Sequence, residues 1–128
     1  MKKRILIVED QEDNRKILRD LLTSVGYELV EATTGEEGVA LAEKERPDLI
    51  LMDIQLPGLD GYEATRRIKA NPALRHIPVI AVTSYALSGD EVKAREAGCD
   101  AYVTKPFSPR ALLAKVREYL PAGAAGSS

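Results

Sequence analysis

Residues 47–57 read PDLILMDIQLP, and they decide the fold class. Four apolar residues run without interruption from Leu49 to Met52, and Asp53 follows at once. An apolar run bounded by turn residues favours a strand buried on both faces, as in a parallel sheet. A carboxylate at the carboxyl end of such a strand lies at the rim where open α/β sheets bind ligands. Taken alone, Asp53 could equally start a turn, so the other strand ends decide its role.

The rest of the chain predicts four more strands and five helices. Ile5–Val8 is a second uninterrupted apolar run, and further strands are predicted at 28–32, 79–82 and 101–104. Helices are predicted between the strands because apolar residues recur there at helical spacing. The clearest repeat comprises Ile17, Leu18, Leu21, Leu22 and Val25. Five strands alternating with five helices predict an α/β fold with a doubly wound parallel sheet and helices on both faces.

Turn and capping residues mark where several of these elements begin and end. Thr34–Glu37 and Ser88–Glu91 both have the spacing of a capping box at a helix start. Ser108 followed by Pro109 is typical of an N-cap and a first helical residue. Gly26 stands where helices commonly end in the left-handed conformation. These residues therefore predict where several of the helices begin or end, in addition to the apolar spacing that predicts the helices themselves.

Length, charge and composition narrow the class of protein. At 128 residues the chain is one domain, placed at 1–120, with 121–128 as a flexible tail. The formal net charge of −2 and the lack of a basic stripe argue against a nucleic-acid-binding surface. No apolar stretch approaches the ~20 residues that cross a bilayer, which argues against a membrane protein. The single cysteine, Cys99, excludes an internal disulfide, is interpreted as a small core residue and fits a cytoplasmic protein.

Polar residues that can carry chemistry stand at the ends of four predicted strands. Glu9 and Asp10 follow the first strand, Asp53 the third, Thr83 ends the fourth and Lys105 follows the fifth. If the first and third strands are neighbours, three carboxylates converge at one edge of the sheet. Like charges at such a short separation raise carboxylate pKa values unless a cation neutralises them. Mg²⁺ suits such carboxylates together with a phosphate, and a lysine can supply a further positive charge.

Together these groups predict a phosphoryl-transfer site. Asp53 can act as the nucleophile, since an aspartyl carboxylate is a known covalent acceptor of phosphate. Thr83 can donate to a phosphoryl oxygen, and Lys105 can neutralise developing charge. Taken singly, the two acids could be the polar start of a helix, Thr83 a turn residue and Lys105 a solvated surface lysine. Their joint occurrence at four strand ends favours a site for an anion and a metal ion.

Four motifs, in this order and at these spacings, resemble the receiver domain of two-component response regulators. They are the acids after the first strand, LILMDIQLPGLDG around Asp53, VIAVTSYA around Thr83 and YVTKPF around Lys105. The likeness covers about residues 4–120. It implies a flavodoxin-like fold with strand order 2-1-3-4-5 and a phosphorylation-controlled signalling switch.

The resemblance implies a role for each acidic residue of the site. Asp53 would accept a phosphoryl group from a histidine kinase or a histidine phosphotransfer protein. Asp10, Asp53 and the backbone carbonyl of Gln55 would bind Mg²⁺ directly. Glu9, at a position where Asp is also common in the family, would act mainly through a bound water.

The resemblance also implies a mechanism of switching. Thr83 and Lys105 would contact the phosphoryl oxygens, and Tyr102 would turn inward as Thr83 moves toward the phosphate. Tyr102 could equally be a half-buried strand tyrosine. The Lys105-Pro106 peptide would be cis, a conformation that proline makes accessible. Positions 55 and 85 are variable in the family and tune the lifetime of the phosphoryl group.

Two interaction surfaces are implied as well. The output surface would be helix four, strand five and helix five, about residues 88–120, contacting a downstream protein or a second copy after phosphorylation. The aromatic residues of interest there are Tyr85, Tyr102 and Tyr119. The kinase-docking surface would be helix one with the loop after strand five. Its candidate residues are Arg15, Leu18, which could equally be core, and Phe107. His76 is interpreted as a loop residue rather than a phosphodonor.

Other functions remain to be distinguished. The segments around Asp53 and Thr83 resemble single-domain regulators of cell fate and polarity, and equally receivers attached to hybrid histidine kinases. Met1 just before the first strand favours a stand-alone regulator, while the Gly-Ala-Ser tail favours an engineered end. A Mg²⁺-dependent phosphatase with an aspartyl nucleophile usually carries an aspartate two residues later, where this chain has Gln55. No turnover of external substrates is therefore expected, and the complete acidic set argues against an inactive receiver used only for binding.

Overall fold

The computed structural model describes residues 3–83, 90–105 and 108–120. The described part contains five β-strands and five α-helices that alternate along the chain. The strands are β1 Arg4–Val8, β2 Glu28–Ala32, β3 Leu49–Asp53, β4 Val79–Thr83 and β5 Ala101–Thr104. The helices are α1 Glu12–Ser24, α2 Gly35–Glu45, α3 Gly61–Ala70, α4 Asp90–Ala97 and α5 Pro109–Tyr119. The predicted α/β fold is confirmed.

All five strands are parallel and lie in the order β2-β1-β3-β4-β5. This is the order that the resemblance implies, and it makes β1 and β3 neighbours. Val8 is paired with Met52, Asp53 with Val82, and Thr83 with Thr104. The register therefore brings the carboxyl ends of β1, β3, β4 and β5 to the same edge of the sheet.

The three central strands, β1, β3 and β4, are buried on both faces, as their uninterrupted apolar runs predict. Along β1, Ile5 and Ile7 belong to a core shared with α1 and α5, whereas Leu6 and Val8 belong to a core shared with α2, α3 and α4. All five residues of β3 are buried, and so are all five of β4. Because successive strand residues point to opposite faces, a fully apolar strand serves both cores at once.

The helix starts follow the predicted capping pattern with one difference. The Thr34 hydroxyl accepts from the Glu37 backbone N–H at 3.0 Å, as in a capping box. The Glu37 carboxylate, however, accepts from the backbone N–H of Thr33 at 2.8 Å rather than from that of Thr34. Ser108 caps α5 ahead of Pro109, as predicted. The Ser88–Glu91 box includes residues outside the described ranges.

Helix α1 shows a limit of the periodicity argument. Leu18 is 3% exposed and Leu22 is fully buried, whereas Ile17 is 53% exposed. Ile17 is therefore not a core residue, although its spacing to Leu21 fits the apolar repeat. An apolar stripe defined by spacing is wider than the face that the sheet covers. Gly26 follows this helix with φ +96°, the left-handed conformation that glycine adopts without strain.

Cys99 is a core residue, as its interpretation predicts. It is 8% exposed and lies 3.8 Å from the hydroxyl oxygen of Thr65. Burial raises the pKa of its thiol to about 11.

His76 lies in the loop between α3 and β4 and is exposed. Among the described helices, none combines the length and the apolar character needed to cross a membrane. The predicted tail at 121–128 lies outside the described residues.

Candidate functional site

Three carboxylates converge at the carboxyl edge of the sheet. Glu9 and Asp10 follow β1, and Asp53 is the last residue of β3. Each offers a carboxylate oxygen that lies within 4.8 Å of those of the other two. Glu9 is 1% exposed and Asp53 is 3% exposed, while Asp10 is half-buried. The convergence predicted from the strand ends is therefore confirmed.

Backbone pairing holds the two buried acids in place. The Glu9 N–H donates to the Ala32 carbonyl at 3.0 Å, which extends the pairing of β1 with β2 by one residue. The Asp53 carboxylate accepts from the backbone N–H of Gln55 at 3.0 Å, which orients it within the turn. A Cβ added to Gly61 would lie 2.2 Å from the Asp53 carbonyl oxygen. Glycine at the start of α3 thus lets the helix approach the acceptor strand closely.

Lys105 supplies a positive charge to the acidic cluster. Its Nζ lies 2.9 Å from Glu9 Oε1 and 3.4 Å from Asp53 Oδ2, and its side chain is 17% exposed. The pKa of Glu9 is raised, mainly because burial disfavours the charged carboxylate. The hydrogen bond from Lys105 opposes that rise, and the Asp53 charge adds to it. The predicted repulsion between carboxylates is present, but burial contributes more.

Thr83 is joined to the site through Gln55. It is the last residue of β4 and 1% exposed. The Gln55 side-chain amide donates to the Thr83 hydroxyl at 2.8 Å. The Thr83 carbonyl accepts from the Lys105 backbone N–H at 2.6 Å. This side-chain link from Gln55 to Thr83 was not predicted from the sequence, because residue type alone carries no signal for it.

The donor set fits a hard divalent cation. Mg²⁺ and Ca²⁺ take oxygen ligands, and carboxylates are the strongest of these in proteins. Here the cluster of Glu9, Asp10 and Asp53 carries three carboxylates, and Lys105 offsets part of that charge. A cation bound at this edge would relieve the repulsion between buried carboxylates that Lys105 leaves uncompensated. Direct ligation by Asp10, Asp53 and the Gln55 carbonyl stays a prediction.

The structure describes two of the three aromatic residues predicted on the output surface, Tyr102 and Tyr119. Tyr102 is half-buried in β5 and packs against the core on the α4 side, which suits either of its two interpretations. The Tyr119 hydroxyl donates to the Asp100 carbonyl at 2.8 Å. Tyr85, Pro106 and Phe107 lie outside the described residues.

The structure describes two of the three candidates for kinase docking, Leu18 and Arg15. Leu18 packs in the core, so its alternative interpretation is the right one. The Arg15 side chain is 12% exposed and turned toward the acidic loop. Its Nη1 donates to the Glu9 carbonyl at 3.1 Å and to the Asp10 carbonyl at 3.4 Å. Arg15 was a candidate because the resemblance places helix one in the kinase-docking surface, and its place there stays a prediction.

Comparison with known proteins agrees with this geometry. A family model described as the response regulator receiver domain matches residues 5–117. The chain is 49% identical over 120 residues to the polar-differentiation response regulator DivK of Brucella anthropi, covering 94% of this chain and 98% of that protein.

Solved structures show the same likeness. The receiver domain of sensor histidine kinase PA1611 from Pseudomonas aeruginosa, solved with a magnesium ion in its active-site cleft, has a TM-score of 0.88 and 39% identity. That match covers 94% of this chain and 99% of that one. The chemotaxis protein CheY4 of Vibrio cholerae has a TM-score of 0.88 and 25% identity, covering 93% and 99% of the two chains.

Proposed function

This chain belongs to the response regulator receiver domain family, whose general function is a phosphorylation switch in two-component signalling, and we propose that Asp53 is its phosphoacceptor. The observation that carries the proposal is the position of the Asp53 carboxylate. It is buried at the end of β3, 3.4 Å from the Lys105 ammonium group and beside the acids that follow β1. An oxygen of Asp53 would attack phosphorus in a phosphohistidine as the N–P bond breaks and the imidazole leaves.

The acidic cluster would hold Mg²⁺. Asp10, Asp53 and the Gln55 backbone carbonyl are the proposed direct ligands. Glu9 is suited to an indirect role, because Lys105 binds one of its carboxylate oxygens and the Gln11 N–H the other. When bound, the cation would neutralise charge on the phosphoryl oxygens.

Thr83 and Lys105 would contact the phosphoryl group after transfer. The Thr83 hydroxyl accepts a hydrogen bond from Gln55, so moving toward a phosphoryl oxygen requires that bond to rearrange. Thr83 pairs with Thr104 in β5, and Tyr102 lies two residues before Thr104 on the same strand, where it pairs with Ala81. We expect Tyr102 to turn inward as Thr83 shifts, which would carry the signal to the face formed by α4, β5 and α5.

The proposed partners are a histidine kinase or histidine phosphotransfer protein upstream and a protein target downstream. For the upstream partner, the exposed Ile17 on α1 replaces Leu18 as the apolar docking residue. For the downstream partner, a groove lies between α4, β5 and α5, lined among others by Arg95, Tyr102, Lys115 and Tyr119. The same face would allow a dimer on phosphorylation. The free thiol of Cys99 suits a cytoplasmic setting.

We propose no turnover of external substrates, only phosphorylation and dephosphorylation of the protein itself. An aspartyl phosphatase needs an acid or base near its nucleophile. Two residues after Asp53 this chain has Gln55, an amide that donates to Thr83. A side-chain amide does not ionise near neutral pH, so Gln55 cannot act as the general acid or base of such a reaction.

Intact-mass spectrometry after incubation with a small-molecule phosphodonor and Mg²⁺ tests the acceptor. We expect the wild-type chain to gain one phosphoryl group, and the gain to disappear in Asp53→Asn and in excess chelator. Asp53→Asn keeps the shape of the side chain, so its circular dichroism should match the wild type. A full phosphoryl gain by Asp53→Asn would show that the acceptor assignment is wrong.

A further inference from the structure

Arg15 contacts the main chain that carries the acid pair. Its Nη1 donates to the Glu9 carbonyl at 3.1 Å and to the Asp10 carbonyl at 3.4 Å. These carbonyls belong to the residues that lead from β1 into α1. We infer that Arg15 is a positioning residue for the Mg²⁺ site, acting through the backbone of the two acids; the inference rests on the proposed function.

Other charges hold Arg15 in this position. Its Nε lies 3.3 Å from Glu31 Oε1, and its Nη2 also pairs with Glu12. Glu31 is fixed in turn by Arg19, whose Nε and Nη2 lie 2.8 Å and 2.9 Å from its two carboxylate oxygens. Arg15 thus joins β2 to the acidic loop, which lies beside the neighbouring strand.

A guanidinium group is required for this set of contacts. Its planar fork presents five N–H donors, so one side chain can bind two carbonyls and two carboxylates at the same time. The Glu9 N–H is already paired with Ala32 on β2, so Arg15 restrains the same backbone from its carbonyl side. Rotation of the Glu9–Asp10 peptide would move the Asp10 carboxylate, and Arg15 opposes that rotation.

Positioning and charge have opposite effects on metal binding here. A cationic side chain close to the site repels Mg²⁺, so removing its charge alone should tighten binding. Losing the two carbonyl contacts should instead weaken binding, because groups that orient metal ligands are typically worth 10–100-fold in affinity. Arg15→Lys keeps the charge and loses the fork, whereas Arg15→Gln loses both. The two variants together separate the effects.

The experiment is titration of the purified full chain with Mg²⁺ alone, followed by calorimetry or NMR, for the wild type and three variants. We expect Arg15→Lys to bind Mg²⁺ about tenfold more weakly than the wild type. Arg15→Gln should also bind it more weakly, but by a smaller factor, because it loses the repulsive charge as well. Arg19→Gln is the matched control, because Arg19 shares the Glu31 partner but is not among the donors to the Glu9 and Asp10 carbonyls. Its Mg²⁺ affinity should change less than about twofold, since it orients no ligand backbone.

Urea unfolding of the same proteins separates positioning from stability. Arg15→Gln and Arg19→Gln should lose similar stability, because each loses its ion pair with Glu31. The inference is overturned if Arg15→Gln binds Mg²⁺ more tightly while Arg15→Lys is unchanged, or if both match the wild type. Should Arg15→Gln fail to fold, Arg15→Lys alone decides. A wild-type chain that binds no Mg²⁺ would instead contradict the proposed function.

Discussion

The ammonium group of Lys105 lies 2.9 Å from a carboxylate oxygen of Glu9, across 96 positions of sequence. The same group lies 3.4 Å from Asp53, so a single side chain links the ends of β1, β3 and β5. A phosphoryl group on Asp53 would compete with Glu9 for this lysine. The exchange of partners offers a physical link between phosphorylation and the position of β5.

Replacement of Lys105 tests that link. We expect Lys105→Ala to keep measurable phosphoryl uptake but to lose most of the accompanying change in β5, because the bridge between the site and the strand is removed. The measurement is the NMR shift of the Tyr102 amide on addition of phosphodonor and Mg²⁺. Lys16→Ala removes a lysine that is 65% exposed and pairs with Asp20, and it should behave as the wild type. A wild-type Tyr102 response in Lys105→Ala would contradict the link.

The pairing of Glu31 with Arg19 and Arg15 predicts a pH-dependent stability. Hydrogen bonding to Arg19 lowers the pKa of Glu31 below its ordinary value of 4.5. The folded protein therefore binds this proton less readily than the unfolded chain, and the stabilisation is present above pH 4.5 and lost as pH falls through the lowered pKa. We expect Glu31→Gln to cost about 1 kcal/mol of unfolding free energy at neutral pH.

The difference between wild type and Glu31→Gln should shrink as the pH of urea titrations is lowered below 4.5. Asp20→Asn is the control, because Asp20 and its partner Lys16 have side chains that are 63% and 65% exposed. At neutral pH it should lower the unfolding free energy by less than Glu31→Gln does. A Glu31→Gln difference that stays constant down to strongly acid pH would show that the ion pairs are not its source.

The environment of Cys99 predicts a poorly reactive thiol. With a pKa of about 11, about one thiol in a thousand is ionised at pH 8, and the side chain is 8% exposed. We expect reaction with a chromogenic disulfide reagent to be slow in native buffer. The rate should increase with urea in step with unfolding. Rapid native labelling would mean that the helix α4 side of the core opens readily.

Truncation of two adjacent residues of α1 should change stability by very different amounts. Leu18 is 3% exposed, and Leu18→Ala should cost about 2–5 kcal/mol of stability. Ile17 is 53% exposed, and Ile17→Ala should change stability by less than about 0.5 kcal/mol.

Phosphoryl transfer from a protein donor tests the proposed docking role of Ile17. Ile17→Ala should accept phosphate normally from a small-molecule donor but more slowly from a phosphorylated histidine phosphotransfer protein, because an apolar docking contact is lost. Transfer rates for both donors measure this. Equal rates for wild type and Ile17→Ala with the protein donor would exclude Ile17 from the docking surface.

Much of the site could be predicted because it depends on local patterns. The apolar run before Asp53 specifies a buried strand, and the residues that follow β1, β4 and β5 are then placed at one edge by parallel pairing. The order of the strands did not come from those patterns; it came from the resemblance to a family, and the structure confirms it. Hydrophobic periodicity identifies elements and their faces, but it contains no information on which strand is whose neighbour.

The amino-acid sequence determined the alternation of strands and helices and the burial of β1, β3 and β4. It also placed polar residues at the carboxyl ends of four strands, namely Glu9, Asp10, Asp53, Thr83 and Lys105. Only the tertiary structure decided that Arg15 binds the backbone of the acid pair, that Gln55 donates to Thr83, and that Ile17 rather than Leu18 is exposed. The physical reason is the range of the interactions. Strand and helix formation depends on residues that are close in sequence. The partners of a long polar side chain come within hydrogen-bonding distance only after the sheet is assembled, so they depend on the tertiary structure.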